Sequence, residues 1–272
     1  MRCWPSNPKR NLLILLLCAL PFLGSAAAEP SPVAVAAFDT YARSIESRLA
    51  QQHHSPDAFL ALASAGPQAE ARLRRGELII EQIPTSADQQ PSGAAIYHWR
   101  GTAFAPGATV ADFERLMKDF SAYPQTFAPQ VLSAHILSQD GNHLQATMRV
   151  RQQHVITVVL NTGYDIAFAR LDPQHGYSLS RSTRIAEVAS PGTPAEHTLG
   201  PDRDHGFLWR QNTYWTYEQR DGGLYMQIES ISLTRSIPTG LGWAIGPYVE
   251  SIPRDSLEFT LRATCSALSK QN

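Results

Sequence analysis

The segment from Tyr97 to Val131, YHWRGTAFAPGATVADFERLMKDFSAYPQTFAPQV, contains the change of pattern that decides the fold. Residues 94–106 predict a strand that ends at a Pro-Gly pair. A helix is predicted next, because apolar residues recur at helical spacing: Val110, Phe113, Leu116, Met117 and Phe120. Thr109 is placed to cap this helix, with Asp112 three residues further on. Two prolines then interrupt the helical pattern.

The chain after this segment predicts a series of antiparallel strands. Strand-like runs flank QDGN at 139–142 and RDGG at 220–223, two turn sequences that favour tight hairpins. Consecutive strands joined by short turns pair antiparallel. A last helix is predicted from about Pro253 to Ser269. One of its faces carries Leu257, Leu261, Thr264, Cys265 and Leu268.

The chain before this segment predicts helices and a short strand. Residues 32–50 carry an apolar stripe at helical spacing, formed by Val35, Phe38, Ala42, Ile45 and Leu49. The Ser-Pro pair at residues 55–56 predicts the start of a second helix. We therefore expect an N-terminal helical extension over residues 29–75 and one main domain over residues 76–272. The adjacent histidines His53 and His54 are expected to be solvated.

The N-terminus has the pattern of an export signal. Three basic residues precede the apolar run Asn11–Leu23, and an Ala-x-Ala cleavage site ends at Ala28. The apolar run is too short to span a bilayer comfortably. We expect residues 1–28 to be a signal peptide and the mature protein to be periplasmic or secreted. An uncleaved membrane anchor is the alternative.

Charge and cysteine content narrow the classes of partner. Residues 1–28 hold three of the 23 Lys and Arg and no Asp or Glu, so the mature chain has 20 basic against 24 acidic residues, a formal net charge of −4. A chain with this charge lacks the excess of basic residues that is typical of nucleic-acid-binding proteins. Cys265 is the single cysteine after residue 28, so no intrachain disulfide is expected, and its apolar surroundings predict a packing role.

The order of elements resembles the START-like (SRPBCC, helix-grip) superfamily of lipid-transfer and polyketide cyclase/dehydrase-like proteins. The similarity extends from about Gly76 to Leu268 and suggests an exported bacterial branch. Its opening motif is matched by Pro106, Phe113, Leu116, Asp119, Phe120, Tyr123, Pro124 and Val131. The resemblance implies an α+β helix-grip fold, in which a curved antiparallel sheet wraps around a long C-terminal helix. It also implies a cavity between sheet and helix for an apolar ligand.

The stretch LTRSIPTGLGWAIGPYVESIPRDSL, residues 233–257, joins the last predicted strand to the last helix. It carries no charge between Arg235 and Glu250. We expect this stretch to be a joint over the end of the sheet, with Trp243 and its apolar neighbours packed as a lid on the cavity. A loop that makes transient contact with a membrane stays open as the alternative.

Polar residues on the predicted strands suggest a ligand-binding cluster. Strand alternation places Arg210, Asn212 and Tyr214 on one face of their strand, and Gln227 and Glu229 on one face of the next. We expect these five residues and Arg184 to form a cluster across neighbouring strands. Arg181 and Arg184 are three residues apart, so on a regular strand they would point to opposite faces. An arginine in the cavity would bind a carboxylate or phosphate head while aromatic residues hold a tail. A ladder of charge pairs facing solvent is the alternative.

These observations favour an exported binding or carrier protein for a hydrophobic small molecule, lipid-like or isoprenoid-like, with no cofactor and no metal. The spacing in the loop Asp202–His205 is not a metal signature, and no nucleophile motif is present. One alternative is a cyclase, dehydratase or hydrolase that uses Glu187 or Glu229 as acid or base and Tyr214 to stabilise charge. Another is an envelope protein-interaction module that presents the apolar stripe of its N-terminal helix to a partner.

Overall fold

The computed structural model describes residues 29–55, 58–62, 65–153, 157–237 and 242–270, with the backbone alone described for Ala87 and residues 242–250. The predicted signal peptide, residues 1–28, lies outside the described residues. The helices are α1 Pro32–His53, α2 Ala69–Arg74, α3 Val110–Lys118, α4 Tyr123–Thr126 and α5 Gly242–Ser269. The strands are β1 Ile79–Gln82, β2 Ala94–Pro106, β3 Val131–Asp140, β4 His143–Gln153, β5 Thr157–Arg170, β6 His175–Ala189, β7 His197–Thr198, β8 Arg210–Arg220 and β9 Gly223–Arg235.

The described strands form one antiparallel sheet. Eight of them lie in the order β1-β2-β9-β8-β6-β5-β4-β3, and the short β7 pairs with β6. β2 runs beside β9, although more than a hundred residues separate the two strands in the chain. The first long strand and the last strand are therefore neighbours, second and third from one edge of the sheet, and β2 contacts the C-terminal helix.

Helix α5 packs on one side of the sheet, which we call the inner face. Leu257 and Leu261 lie against Gly101 of β2, where a Cβ atom would come within 2.7 Å of Leu261 Cδ1. Both leucines belong to the largest apolar core, which also contains Phe113 of α3 and Trp215 of β8. This arrangement of an antiparallel sheet around a C-terminal helix confirms the predicted helix-grip α+β fold.

Helix α1 packs on the opposite side of the sheet, which we call the outer face. Phe38, Ile45 and Leu49 are buried there against Tyr214 and Ile231. Because the apolar stripe of α1 is buried on its own sheet, it is not the exposed apolar patch that a partner-binding module would need. Among the described residues, no helix is both long enough and apolar enough to cross a bilayer.

Local sequence signals account for the boundaries of several elements. Thr109 and Asp112 form the reciprocal capping box that starts α3, with Thr109 Oγ1 accepting from the Asp112 backbone N–H at 3.1 Å. Both predicted hairpins are present, between β3 and β4 and between β8 and β9. Asp221 and Gly222 have φ values of 56° and 73°, as the tight turn between β8 and β9 requires.

Two predicted helix boundaries are wrong. The last helix begins at Gly242 rather than Pro253, so part of the uncharged stretch is helical and Pro247 and Pro253 lie within the helix. Tertiary packing can offset the hydrogen bonds that prolines remove, and local propensity is then a poor guide. The helix predicted from the Ser-Pro pair is absent from the described residues 58–62, and the short α2 follows instead.

Candidate ligand-binding face

A strip of uncharged polar and aromatic side chains crosses the inner face beside α5. We call it the neutral strip and define it as Trp99 on β2, Tyr164 on β5, Gln211 and Thr213 on β8, and Ser230 on β9. Ser230 is the register partner of both Trp99 and Thr213. The alternation of strand side chains places these residues on the side of Trp215, which packs in the core with α5.

Hydrogen bonds connect three members of the strip across neighbouring strands. The Tyr164 hydroxyl donates to Gln211 Oε1 at 3.4 Å, and Gln211 Nε2 donates to Ser230 Oγ at 3.4 Å. Burial raises the pKa of Tyr164 to about 12, so its hydroxyl stays protonated at neutral pH. The Ser230 hydroxyl accepts in this chain and keeps its own O–H for a further acceptor.

Trp99 carries a hydrogen-bond donor without a partner. Its side chain is buried, with 8% of the residue exposed, and Nε1 forms no hydrogen bond within the part of the chain that is described. An indole N–H can only donate. A buried donor left unpaired costs about 1–3 kcal/mol, and buried polar groups in folded proteins are nearly always paired. The strip therefore contains an unused donor at a buried position.

The path of α5 takes the helix past Trp99. Leu257 lies beside Gly101, and Cys265 Sγ is 4.0 Å from the carbonyl oxygen of Phe104, so α5 runs in the same direction as β2. Trp99 precedes Gly101 by two strand residues, about 7 Å, which corresponds to roughly four residues of helix. The helix thus reaches Trp99 near residue 253, and its first half extends beyond it. Trp243, the predicted lid residue, belongs to this half, and its side chain lies outside the described residues.

On β2, β8 and β9, the described inner positions along the strip carry no charged side chain. By register and alternation, the inner positions hold Tyr97, Trp99, Gly101, Ala103 and Ala105 on β2, Gln211, Thr213, Trp215 and Tyr217 on β8, and Leu224, Met226, Ile228, Ser230, Ser232 and Thr234 on β9. Charged groups lie towards the α3 end, where Glu114 pairs with Arg170 at 2.8 Å and with Lys118 at 3.8 Å. The surface beside α5 is therefore polar without being ionic.

The predicted ligand cluster lies on the other side of the sheet, so its expected position in the cavity is wrong. Glu229 is almost fully buried under α1, where Arg48 and Arg100 both donate to its carboxylate. His98 Nε2 lies 2.9 Å from the same carboxylate, and His98 Nδ1 lies 2.9 Å from the Tyr41 hydroxyl. A carboxylate only accepts, so Nε2 carries the ring proton and Nδ1 accepts from Tyr41. These five side chains form what we call the α1 ion network.

The α1 ion network holds Glu229 as a carboxylate. Burial alone would raise the pKa of Glu229, but the hydrogen bond from His98 and the charges of Arg100 and Arg48 outweigh it and lower the pKa to about 2. Burial lowers the pKa of His98, against the raising effect of Glu229. An acid–base catalyst for neutral pH needs a pKa nearer to 7 and access to substrate. Glu229 has neither, since it is saturated with donors and lies on the face opposite α5.

The other predicted residues of β8 and β9 also lie on the outer face. Tyr214 is 1% exposed, accepts from Asn212 Nδ2 at 3.2 Å and donates to Glu46 of α1 at 3.2 Å. Burial is the main cause of the raised pKa of Tyr214. Gln227 donates to Thr102 and accepts from the backbone N–H of Ala61. Arg210 is the register partner of the buried outer-face Leu233.

Two predicted residues of β6, Arg184 and Glu187, lie away from both the neutral strip and the α1 ion network. Arg184 lines an open groove of about 630 Å³ along β3 to β6, together with Thr147, Arg149, Asn161 and Thr198. Glu187 lies near the end of β6, where its carboxylate accepts from the backbone N–H of His205 at 3.2 Å and contacts His205 Nδ1 at 2.9 Å. The structure therefore separates Arg184 from the rest of the predicted ligand cluster and places the catalytic candidate Glu187 at a third location.

A register shift explains why the expected orientation of Arg184 is wrong. Arg181 pairs with Asp165, and Arg184 pairs with Gly163, with a bulge between the two pairs. Since Asp165 and Gly163 are two residues apart, both arginines are on the outer face, although three residues separate them. Arg181 uses this position to bind Glu46 of α1 through two hydrogen bonds of 2.7 and 2.8 Å.

Sequence reasoning missed the neutral strip itself. The alternation of β8 is enough to place Gln211 and Thr213 on the face of Trp215, but these two residues carry no charge and so give no functional signal. Trp99 lies in the motif that predicts the fold, and its unpartnered N–H is visible only once its neighbours are known. The sequence could have indicated the strip only through the uncharged face of β8, which carries Gln211 and Thr213, and not through the face that carries Arg210.

Comparison with solved structures found proteins that are similar to this chain. Solved structures similar to this chain include a START superfamily protein from Mycobacterium smegmatis, at 14% identity and a TM-score of 0.43 over 64% of this chain and 99% of that one. A STAR-related lipid transfer protein fragment from Xanthomonas axonopodis matches at 15% identity and a TM-score of 0.39, over 67% and 98%. The Zhui aromatase/cyclase from Streptomyces sp. R1128 matches at 12% and 0.43, over 65% of this chain and 95% of that one.

No protein-family model and no curated protein matches the sequence. The structural neighbours named above are 15% identical or less, and such values describe a shared fold rather than a shared ligand or activity. The helix-grip fold itself rests on the order of the strands and on the position of α5. What the chain binds has to be argued from its own residues.

Proposed function

We propose that the protein is an exported carrier that holds one hydrophobic small molecule between the inner face of the sheet and the first half of α5. The observation that supports this proposal is the neutral strip, which places a buried, unpartnered N–H donor among aromatic and hydroxyl side chains beside a helix. Apolar surroundings with a few convergent polar groups are the usual composition of a small-molecule site. The ligand class expected from the sequence is lipid-like or isoprenoid-like.

A carrier role agrees better with the residues than an enzymatic role does. The acid–base candidate Glu229 is locked in the α1 ion network, and Glu187 is engaged with His205. The neutral strip supplies hydrogen-bond donors and acceptors but no carboxylate, imidazole or amine to move a proton at neutral pH. Such a surface can bind and orient a molecule.

Native mass spectrometry of the purified mature protein tests the proposed function. We expect a one-to-one adduct of a few hundred daltons that organic solvent extracts. Thr213→Trp should fill the inner face and remove the adduct. Thr147→Trp makes the same change on the groove along β3 to β6 and should keep the adduct. An adduct that survives Thr213→Trp, or a wild-type protein that never carries or takes up an apolar molecule, would contradict the proposal.

Export requires a separate experiment. If residues 1–28 are a signal peptide, expression of the full chain in a bacterial host should yield a periplasmic protein whose N-terminal residue is Glu29. Cell fractionation followed by N-terminal sequencing gives both answers. Recovery of the uncleaved chain in the membrane fraction would favour the anchor alternative.

A further inference from the structure

The ligand class can be narrowed from the groups that face it, and this step rests on the proposed function. We infer that the bound molecule is uncharged and presents a hydrogen-bond acceptor, such as a ketone or ester carbonyl, to the indole N–H of Trp99. The first ground is the donor itself. Trp99 Nε1 is buried without a partner, and an acceptor atom of the ligand would satisfy it.

The second ground is the arrangement of hydroxyl groups around Trp99. Ser230 is opposite Trp99 on β9, and Thr213 is opposite Ser230 on β8. The Ser230 oxygen accepts from Gln211, which leaves its O–H directed to another acceptor. A carbonyl oxygen has two lone pairs, so it can accept from Trp99 and from one of these hydroxyl groups together.

The third ground is the distribution of charge. Inner positions beside the strip on β2, β8 and β9 hold no Asp, Glu, Lys or Arg, and the sequence carries no charge from Ser236 to Val249. A carboxylate, phosphate or ammonium group buried here would have no described counter-charge, which is strongly unfavourable. Arg48 and Arg100 are both bound to Glu229 on the outer face, and Arg254 of α5 is half-exposed and pairs with Asp255 and Glu258.

Three probes of equal chain length separate these contributions. Dodecane has no acceptor, 2-dodecanone has a neutral acceptor, and laurate has a charged one. Isothermal titration calorimetry of the mature protein at pH 7 should show the ketone binding about tenfold more tightly than the alkane, as expected for one additional hydrogen bond. Laurate should bind more weakly than the ketone, because its charge would be buried without a partner.

The variant Trp99→Phe removes the donor and keeps an aromatic ring. It should lose about tenfold in affinity for 2-dodecanone, and its loss for dodecane should be clearly smaller, because the alkane forms no hydrogen bond with the indole. Trp209→Phe is the matched control, since Trp209 Nε1 is also buried without a described partner but its ring packs with the α1 cluster. This control should bind all three probes as the wild type does. Urea unfolding of both variants checks that the fold is retained.

The outcomes distinguish this inference from the proposed function. If the alkane binds and Thr213→Trp abolishes binding, but Trp99→Phe leaves ketone affinity unchanged, the proposed function stands and the role of Trp99 is refuted. Laurate binding as tightly as the ketone would refute the neutral ligand. If no probe binds the wild-type protein and native mass spectrometry detects no adduct, the proposed function fails and the inference fails with it.

Discussion

The two faces of the sheet use polar residues in opposite ways. On the outer face, the buried carboxylate of Glu229 binds two arginines beneath α1, the buried Arg100 and the partly exposed Arg48. On the inner face, Gln211 and Ser230 are uncharged and half-buried, and Trp99 keeps a donor without a partner. The helix on the outer face is thus held by groups that satisfy each other. On the inner face, α5 passes over polar groups that include an unpaired hydrogen-bond donor.

This difference teaches how to read polar residues in a curved sheet. A dense cluster of charges in a sequence suggests a binding site, but such a cluster can be fully used within the protein. Burying ions is costly, so buried charges are found where partners compensate them. A site for an outside molecule is indicated instead by polar groups that the fold leaves unsatisfied.

The largest expected effect comes from breaking the α1 ion network. Glu229→Gln removes the charge that Arg48, Arg100 and His98 share, and it should lower the free energy of unfolding by about 3 kcal/mol, because the buried Arg100 and the partly exposed Arg48 both lose their counter-ion. Urea denaturation at pH 7 measures the loss.

The control for this variant is Glu81→Gln, which makes the same change in the more exposed carboxylate that Arg100 also contacts. It should cost less than about 1 kcal/mol. Equal losses from the two variants would mean that the buried network contributes no more than an ordinary surface pair, and the contrast between the faces would be wrong.

The second prediction concerns the contact that seats α5 on the inner face. A side chain at Gly101 would meet Leu261, which is fully buried, so Gly101→Val should cost about 2 kcal/mol through overpacking. Gly163→Val is the control, since the nearest contact of its Cβ would be the Thr183 hydroxyl, the end of a small exposed side chain that can rotate. If thermal unfolding shows equal losses, α5 does not depend on close approach at Gly101.

Much of the fold could be predicted because its signals are local. The capping box of Thr109 and Asp112 fixes the start of α3, and the turn at Asp221 fixes the hairpin between β8 and β9. Strand alternation likewise places Tyr214 and Trp215 on opposite faces of the sheet, as the structure has them. These signals depend on residues a few positions apart, and backbone geometry alone decides them.

The position of the site could not be predicted, because it depends on packing between distant elements. Helices α1 and α5 both carry an apolar stripe, and nothing in the strand sequences states which helix covers which face. The bulge between Arg181 and Arg184 leaves no clear mark in the sequence, yet it reverses the expected side of Arg184. The role of His53 was also misjudged, since it stacks on Tyr177 at 4.3 Å rather than facing solvent.

The third prediction concerns the pH dependence of stability, which should differ between the two faces because His53 lies on the outer one. Burial is the main cause that lowers the pKa of His53 from 6.5 to about 4. The unfolded chain therefore binds a proton more readily than the folded chain between these values. The stability contributed by neutral His53 is present above pH 6.5 and is lost as the pH falls towards 4. One such group changes the free energy of unfolding by at most about 1.4 kcal/mol per pH unit.

Urea unfolding at pH 7.5, 6 and 5 should show a smaller acid loss for His53→Gln than for the wild type. A residual loss is expected, because the pKa of His98 is lowered in the same direction. Both histidines lie at the contact between α1 and the outer face, so acid should loosen α1 before α5. Hydrogen exchange at pH 5 that protects α1 as strongly as α5 would contradict this order.

The smallest expected effect compares the two arginines that the bulge places on one face. Arg181→Met removes the two hydrogen bonds to Glu46. Because half of the Arg181 side chain is exposed, the free energy of unfolding should fall by about 0.5 kcal/mol, and by less in 1 M salt. Arg184→Met makes the same change where no ion pair with a described residue exists, and it should leave stability unchanged. If Arg184 proved the costlier arginine, it would have a structural partner that its position in the groove does not indicate. If Arg181→Met cost as much as Glu229→Gln, the contacts of α1 would form one cooperative unit, and the charges at the edge of the outer face would have to be counted with the buried ones.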